Sequence, residues 1–162
     1  MLNKNIKTLF KNIVYNCPIV GIKDRSIIYK VGNDTVSIFM FKKTEGDEEE
    51  IKLVVGAAGG HTVKVILETC YLSEDEKVAC TLAAARAKAN FVKTSTGFGT
   101  GGALVTDVVT MKANITPDME VKASGGIKTL EDALTMVKVG ATRIGTSSGV
   151  QIVEAYNEQG GE

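Results

Sequence analysis

Strand-like and helix-like stretches alternate through the last two-thirds of the chain, and this alternation confines it to an α/β fold on a parallel sheet with crossover connections. Residues 62–68 read as a buried strand. Ser73 opens a helix to about residue 88, and Glu76 three positions on completes a Ser-x-x-Glu capping box. A strand at 90–94 leads through a Gly-rich loop into a helix at 105–113. A third strand, 119–123, precedes a helix at 129–139 with Thr129 as its cap and Gly140 at its end. A short strand at 142–145 and the turn Thr146-Ser147-Ser148-Gly149 open a last helix to about Tyr156. The dipeptide Val-Lys recurs at Val63-Lys64, Val92-Lys93 and Val121-Lys122, each 29 residues from the next, the period of one strand plus one helix. Four such units make half of an eight-fold barrel, which needs about 250 residues when intact. The fold class expected is therefore α/β, a partial TIM barrel of about four βα units.

What precedes this half-barrel is different in kind. Residues 1–43 hold eight Lys or Arg against Asp24 and Asp34, and the chain has no alanine before Ala57. Formal net charge over the 162 residues is zero, so the remainder is correspondingly acidic. Two units follow from this break: a basic, atypical N-terminal segment, 1–45, and a βα half-barrel, 46–162. Within the first, a helix is expected near 4–14. Apolar runs at 26–31 and 35–42 flank Gly32-Asn33-Asp34 as a β-hairpin. Residues 47–58 read as a helix with acidic residues in its first turn and Gly59-Gly60 behind it. A basic arm can touch RNA, but this one carries no recognised nucleic-acid motif, and a structural role is the simpler expectation.

Several function classes fall away. No apolar run approaches the roughly 20 residues that span a bilayer. Residues 1–15 lack the apolar core and small-residue cleavage site of a signal peptide. Cys17, Cys70 and Cys80 fit neither a CxxC site nor a disulfide framework, and with His61 as the one histidine a zinc site is not expected. A reduced, cytoplasmic protein is the consistent reading. Cys70 and Cys80 are expected to be small buried apolar groups.

The chemistry concentrates where strands end. Lys93 closes Phe91-Val92-Lys93 before Thr94-Ser95-Thr96-Gly97, and Lys122 stands in Val121-Lys122-Ala123-Ser124-Gly125-Gly126. A charged lysine in an apolar strand costs several kcal/mol, and two on neighbouring strands push one pKa down. A neutral amine so placed can attack a carbonyl and form a Schiff base; solvated, ordinary lysines are the alternative. Gly125-Gly126 and Gly145-Thr146-Ser147-Ser148-Gly149 each link a strand to a helix. There, backbone amides can hold an anion, or the glycines merely make tight turns. Ser147 and Ser148 either donate to a phosphate or cap the helix, and Lys128 either reaches the same anion or is solvated. Lys64 shares a strand face with Glu68, itself either an acid/base or a partner for a lysine. The Ser124 hydroxyl either binds substrate or, the simpler expectation, serves a turn, and His61 stands at the opposite end of its strand, without a role.

The segments 62–69 (TVKVILET), 91–102 (FVKTSTGFGTGG), 121–127 (VKASGGI) and 143–149 (RIGTSSG) together resemble the C-terminal half of deoxyribose-phosphate aldolase, over about residues 46–156. The resemblance implies a TIM barrel and a class I aldolase of deoxyribonucleotide catabolism that works with no metal or cofactor. Such an enzyme cleaves 2-deoxyribose 5-phosphate to acetaldehyde and glyceraldehyde 3-phosphate. It implies Lys93 as the Schiff-base lysine, Lys122 as the second lysine that lowers its pKa and assists proton transfer, and Lys64 as a lining residue. Thr96, Gly125, Gly126, Gly145, Ser147 and Ser148 match phosphate-contacting positions. The family's first four strands, with an active-site aspartate, find no counterpart before Gly46, and neither Asp24 nor Asp34 stands in a matching motif. Lys88 stands where the family has a small residue. The rival reading is an inactive half-barrel that binds a sugar phosphate or a protein partner. Its open edges invite self-association, and two copies would close an eight-stranded barrel. A phosphorylated sugar is the expected partner, with neither nucleic acid nor membrane, in a homo-oligomer.

Overall fold

The computed structural model describes residues 28–31, 35–39 and 46–159. The expected helix at 4–14 and the turn Gly32-Asn33-Asp34 lie outside them. Six strands form one sheet in chain order: β1 (Ile28–Val31), β2 (Thr35–Phe39), β3 (Thr62–Ile66), β4 (Phe91–Lys93), β5 (Glu120–Ser124) and β6 (Arg143–Gly145). β1 runs antiparallel to β2, pairing Ile28 with Ile38 and Val31 with Thr35. Every later pair is parallel.

The helices are α1 (Asp47–Ala57), α2 (Glu74–Arg86), α3 (Val105–Ala113), α4 (Leu130–Lys138) and α5 (Gly149–Glu158). The half-barrel expected from the alternation is thus present as β3 to β6 with α2 to α5. The hairpin is joined to it: β2 lies on the edge of β3, Thr35 beside Thr62, with α1 as the crossover. Closure of an eight-stranded barrel by two copies would need that edge of β3 free, and the hairpin occupies it.

Strand alternation sorts the side chains into two faces. Val63, Val65 and Leu67, Val92, Val121 and Ala123 turn to the helices and pack with Ile51 and Val54 of α1, Ala83 and Ala84 of α2, Val108 and Met111 of α3, and Ala133 and Met136 of α4. Each buried Val, Ile or Met contributes about 1.5–3 kcal/mol. Lys64, Ile66, Phe91, Lys93, Lys122, Ser124, Arg143 and Gly145 share the other, concave face.

Both expected caps form. Ser73 and Glu76 exchange side chain-to-backbone bonds at the start of α2, and Thr129 and Asp132 do the same for α4. α2 and α4 also end alike. Lys88 N–H donates to the Ala85 carbonyl and Ala89 N–H to that of Ala84; Gly140 and Ala141 repeat this on Val137 and Met136. This ending places the residue after the cap in the left-handed region, where glycine is favoured. Gly140 has φ 114°, whereas Lys88 has φ 59°. Lys88 therefore carries a backbone strain that a glycine would not.

Between α2 and α3, Lys77 Nζ lies 2.7 Å from Asp107 Oδ1, both buried, and 2.6 Å from Glu74 Oε1. Burial pulls the Lys77 pKa down, but the bonds to Asp107 and Glu74 outweigh it, so it is raised. Breaking a buried pair by removing one partner costs about 3–5 kcal/mol.

Candidate active site

Register places the two lysines side by side, with Lys93 of β4 paired to Lys122 of β5. Lys64 of β3 is paired with Phe91 of β4, and Lys122 with Arg143 of β6. Four cations from four adjacent strands therefore share the concave face. Phe91, buried among them, has Lys64 Nζ at 5.5 Å and the Arg143 guanidinium carbon at 4.3 Å from its ring centre. The negative face of the ring attracts both cations and spaces them without neutralising either.

Crowding and burial act in one direction on the amines. Burial, then Lys122, Arg143 and Lys93, depress Lys64 to about 8. Lys93 is lowered by burial and then by Lys122, with Glu68 opposing. Lys122 is lowered by burial and Arg143. A lysine held below its ordinary value offers more free amine near neutrality, which nucleophilic attack on a carbonyl requires.

Glu68 lies beside Lys93 at the end of β3. The expected strand to residue 68 stops at Ile66, because Glu68 adopts φ 50° and caps a 3-10 turn at Thr69–Tyr71. Its carboxylate is 1% exposed and accepts the Thr96 N–H at 3.0 and 3.2 Å. Of the two roles open to Glu68, neither is the contact observed first: it binds the loop after β4.

Three loops gather at the C-terminal end of the sheet. The first holds Thr96, whose Oγ1 accepts the Phe98 N–H. With its N–H given to Glu68, the Thr96 hydroxyl is what remains to donate to a ligand. The second is Gly125-Gly126, with φ 93° and 76°. Gly125 O accepts the Ala103 N–H, and a Cβ on Gly102 would lie 2.4 Å from that oxygen, so the first loop packs backbone to backbone on the second. The third runs from Gly145 through Ser147 and Ser148. Thr146 Oγ1 donates to Ile127 O at 2.6 Å and accepts from Ser148 N–H, tying the third loop to the second. Ser147 is exposed and Ser148 half-buried; the Ser148 side chain makes no capping bond at α5.

Gly145 has a further part. A Cβ there would lie 2.4 Å from Ser124 Oγ and 2.9 Å from Lys122 Cε, so the missing side chain makes room for the second lysine. Ser124 ends β5 rather than standing in a turn, its N–H bonded to Thr94 Oγ1. Lys128 is exposed. His61 lies before β3, at the end away from the loops. Cys70, expected buried, is exposed and lies against the glycines of the first loop, while Cys80 is buried.

The site residues read from the sequence thus converge on one end and one face of the sheet. Phe91 and Arg143 were missed as members of the cluster. Alternation from Lys93 and Lys122 would have placed both, had the register between strands been known.

The chain is 56% identical over 113 residues to the deoxyribose-phosphate aldolase of Streptococcus sanguinis, and 52% identical over 126 residues to that of Thermotoga maritima. These matches take in 70% and 78% of this chain. Over that span the chain is a homologue of the deoxyribose-phosphate aldolases. It covers about half the length of the curated relatives it matches, 51% in both cases. No family model matches it. Among solved structures, an aldolase called QR15 superposes with a TM-score of 0.66 at 41% identity, over 70% of this chain and 51% of that one. The tetrameric deoxyribose-phosphate aldolase of Aeropyrum pernix gives 0.63 at 37%, over 69% and 49%. The concave cationic face and the three loops all fall within the 46–156 region where the motif resemblance lies.

Proposed function

We propose that this chain carries the imine-forming half of a class I aldolase that cleaves 2-deoxyribose 5-phosphate to acetaldehyde and glyceraldehyde 3-phosphate. The observation that supports it most is the in-register pair Lys93–Lys122, both amines depressed, beneath three Gly-rich loops. Free Lys93 Nζ attacks the C1 aldehyde, and loss of water leaves a protonated imine. A base takes the proton of the C3 hydroxyl and the C2–C3 bond breaks. Its electrons pass to the imine as an enamine, and glyceraldehyde 3-phosphate departs. Protonation at C2 and hydrolysis release acetaldehyde and restore the amine. Lys122 keeps the Lys93 pKa low and moves protons, and Lys64 lines the cleft. The amides of Gly125, Gly126 and Gly145 with the hydroxyls of Thr96, Ser147 and Ser148 hold the phosphate.

A second reading is favoured by one observation: strands β3 to β6 carry no aspartate. On that reading the chain binds the sugar phosphate, or a partner, without turning it over. The two separate on incubation with acetaldehyde or deoxyribose 5-phosphate, borohydride reduction and peptide mass spectrometry. A reduced adduct on Lys93 is expected; a folded sample without one supports the binding reading. We propose further that the chain is cytoplasmic and self-associates. Support for self-association comes from exposed Leu134 and Val137 on α4 and Val150 and Val153 on α5.

A further inference from the structure

Glu68 raises the Lys93 pKa against burial and Lys122, and its surroundings are built around it. Leu67 N–H donates to Lys93 O and Thr69 N–H to Thr94 O, both at 3.0 Å, so Glu68 is fixed between two bonds to the segment that carries Lys93. It holds a left-handed backbone, uncommon for a residue with a side chain and costing about 1–3 kcal/mol. Such strain persists only where neighbours enforce it. Here the carboxylate, sealed from water, takes the Thr96 amide on both oxygens. The loop wraps it closely: a Cβ on Gly99 would lie 2.9 Å from Glu68 Oε1. A buried carboxylate is expensive unless bonds and opposite charge compensate it. The bond comes from the loop, on both carboxylate oxygens, and the cation that Glu68 acts on is Lys93 of β4.

We infer that Glu68 is a positioning residue for imine chemistry, anchoring the loop after Lys93 through the Thr96 amide and standing as counter-ion to the cation on the Lys93 nitrogen. The role rests on the aldolase reading only for the word imine; the charge coupling itself concerns the free enzyme. The protonated imine bears the same unit charge as the ammonium it replaces. A nearby carboxylate favours the protonated imine over the neutral one, so its help lies in forming and holding the electron sink; the charge it faces falls as C–C cleavage sends electrons to nitrogen. It also raises the Lys93 pKa, against burial and Lys122 of β5, which lower it, while Arg143 of β6 lowers Lys122 in turn. Glu68 and Lys122 are thus opposed settings on one amine.

The test labels the intact protein with a trace of acetic anhydride across pH and reads acetylation of Lys93 by peptide mass spectrometry, with exposed Lys112 as internal reference. Glu68→Gln keeps a carbonyl for the Thr96 amide and removes the charge. Its Lys93 midpoint is expected about one pH unit lower than in the parent chain; an unmoved midpoint overturns the counter-ion role. Hydrogen exchange at the Thr96 amide is expected to stay slow in Glu68→Gln and become fast in Glu68→Ala. Equal protection in both overturns the anchoring role, and if Glu68→Ala does not fold, fast exchange in a folded Glu68→Gln does so instead. Borohydride trapping on the same samples reads the aldolase proposal separately. No adduct on parental Lys93 with a shifted midpoint in Glu68→Gln would sink the enzyme and leave the counter-ion standing.

Discussion

Lys93 and Lys122 differ in what they owe to their neighbours. Lys93 is depressed by burial first and Lys122 second. In Lys122→Ala the amine therefore loses a like charge and its pKa rises. Imine trapping on Lys93 should slow at neutral pH and recover at higher pH, and an unchanged pH profile would contradict the assigned coupling. Lys64 makes a thermodynamic statement as well. Its proton leaves near 8 in the folded chain against 10.5 for an ordinary lysine. Between those values the unfolded chain binds more protons, so stability rises with pH across this window. Urea midpoints taken at pH 7.5 and 10 should show the rise, and Lys64→Met should lessen it, the depressed Lys93 and Lys122 keeping the remainder. At the same scale, Gly145→Ala should displace the Lys122 side chain, which a Cβ would meet at 2.9 Å.

Among the elements, α2 and α4 provide an internal comparison. They share a capping box at the start and the same pair of backbone bonds at the end, but one closes on Lys88 and the other on Gly140. Lys88→Gly should raise stability by about 1 kcal/mol by relieving the left-handed strain, measured as a higher thermal midpoint. The departure noted at Lys88 in the sequence is thereby explained: a small residue there suits the backbone, not the packing. The helices and their caps were legible because capping and turn chemistry are local. Strand ends were less so. β3 stops two residues early because Glu68 leaves the extended conformation for the loop of a different strand.

At the scale of the molecule, the chain has an added edge and an open one. The hairpin covers β3, and β6 pairs on one side alone within the described residues. With apolar α4 and α5 side chains beside that open edge, sedimentation at micromolar concentration should show dimers or larger species; a clean compact monomer would sink the proposed self-association. The βα alternation, the two lysines and the three glycine loops could all be read along the chain, because period, capping and turn chemistry depend on residues close in sequence. Only the tertiary structure could show that β2 lies parallel to β3, that Phe91 separates Lys64 from Arg143, and that Glu68 holds the loop after Lys93. Those contacts join residues 27 to 52 positions apart, and strand register, which no local pattern encodes, decides which of them meet.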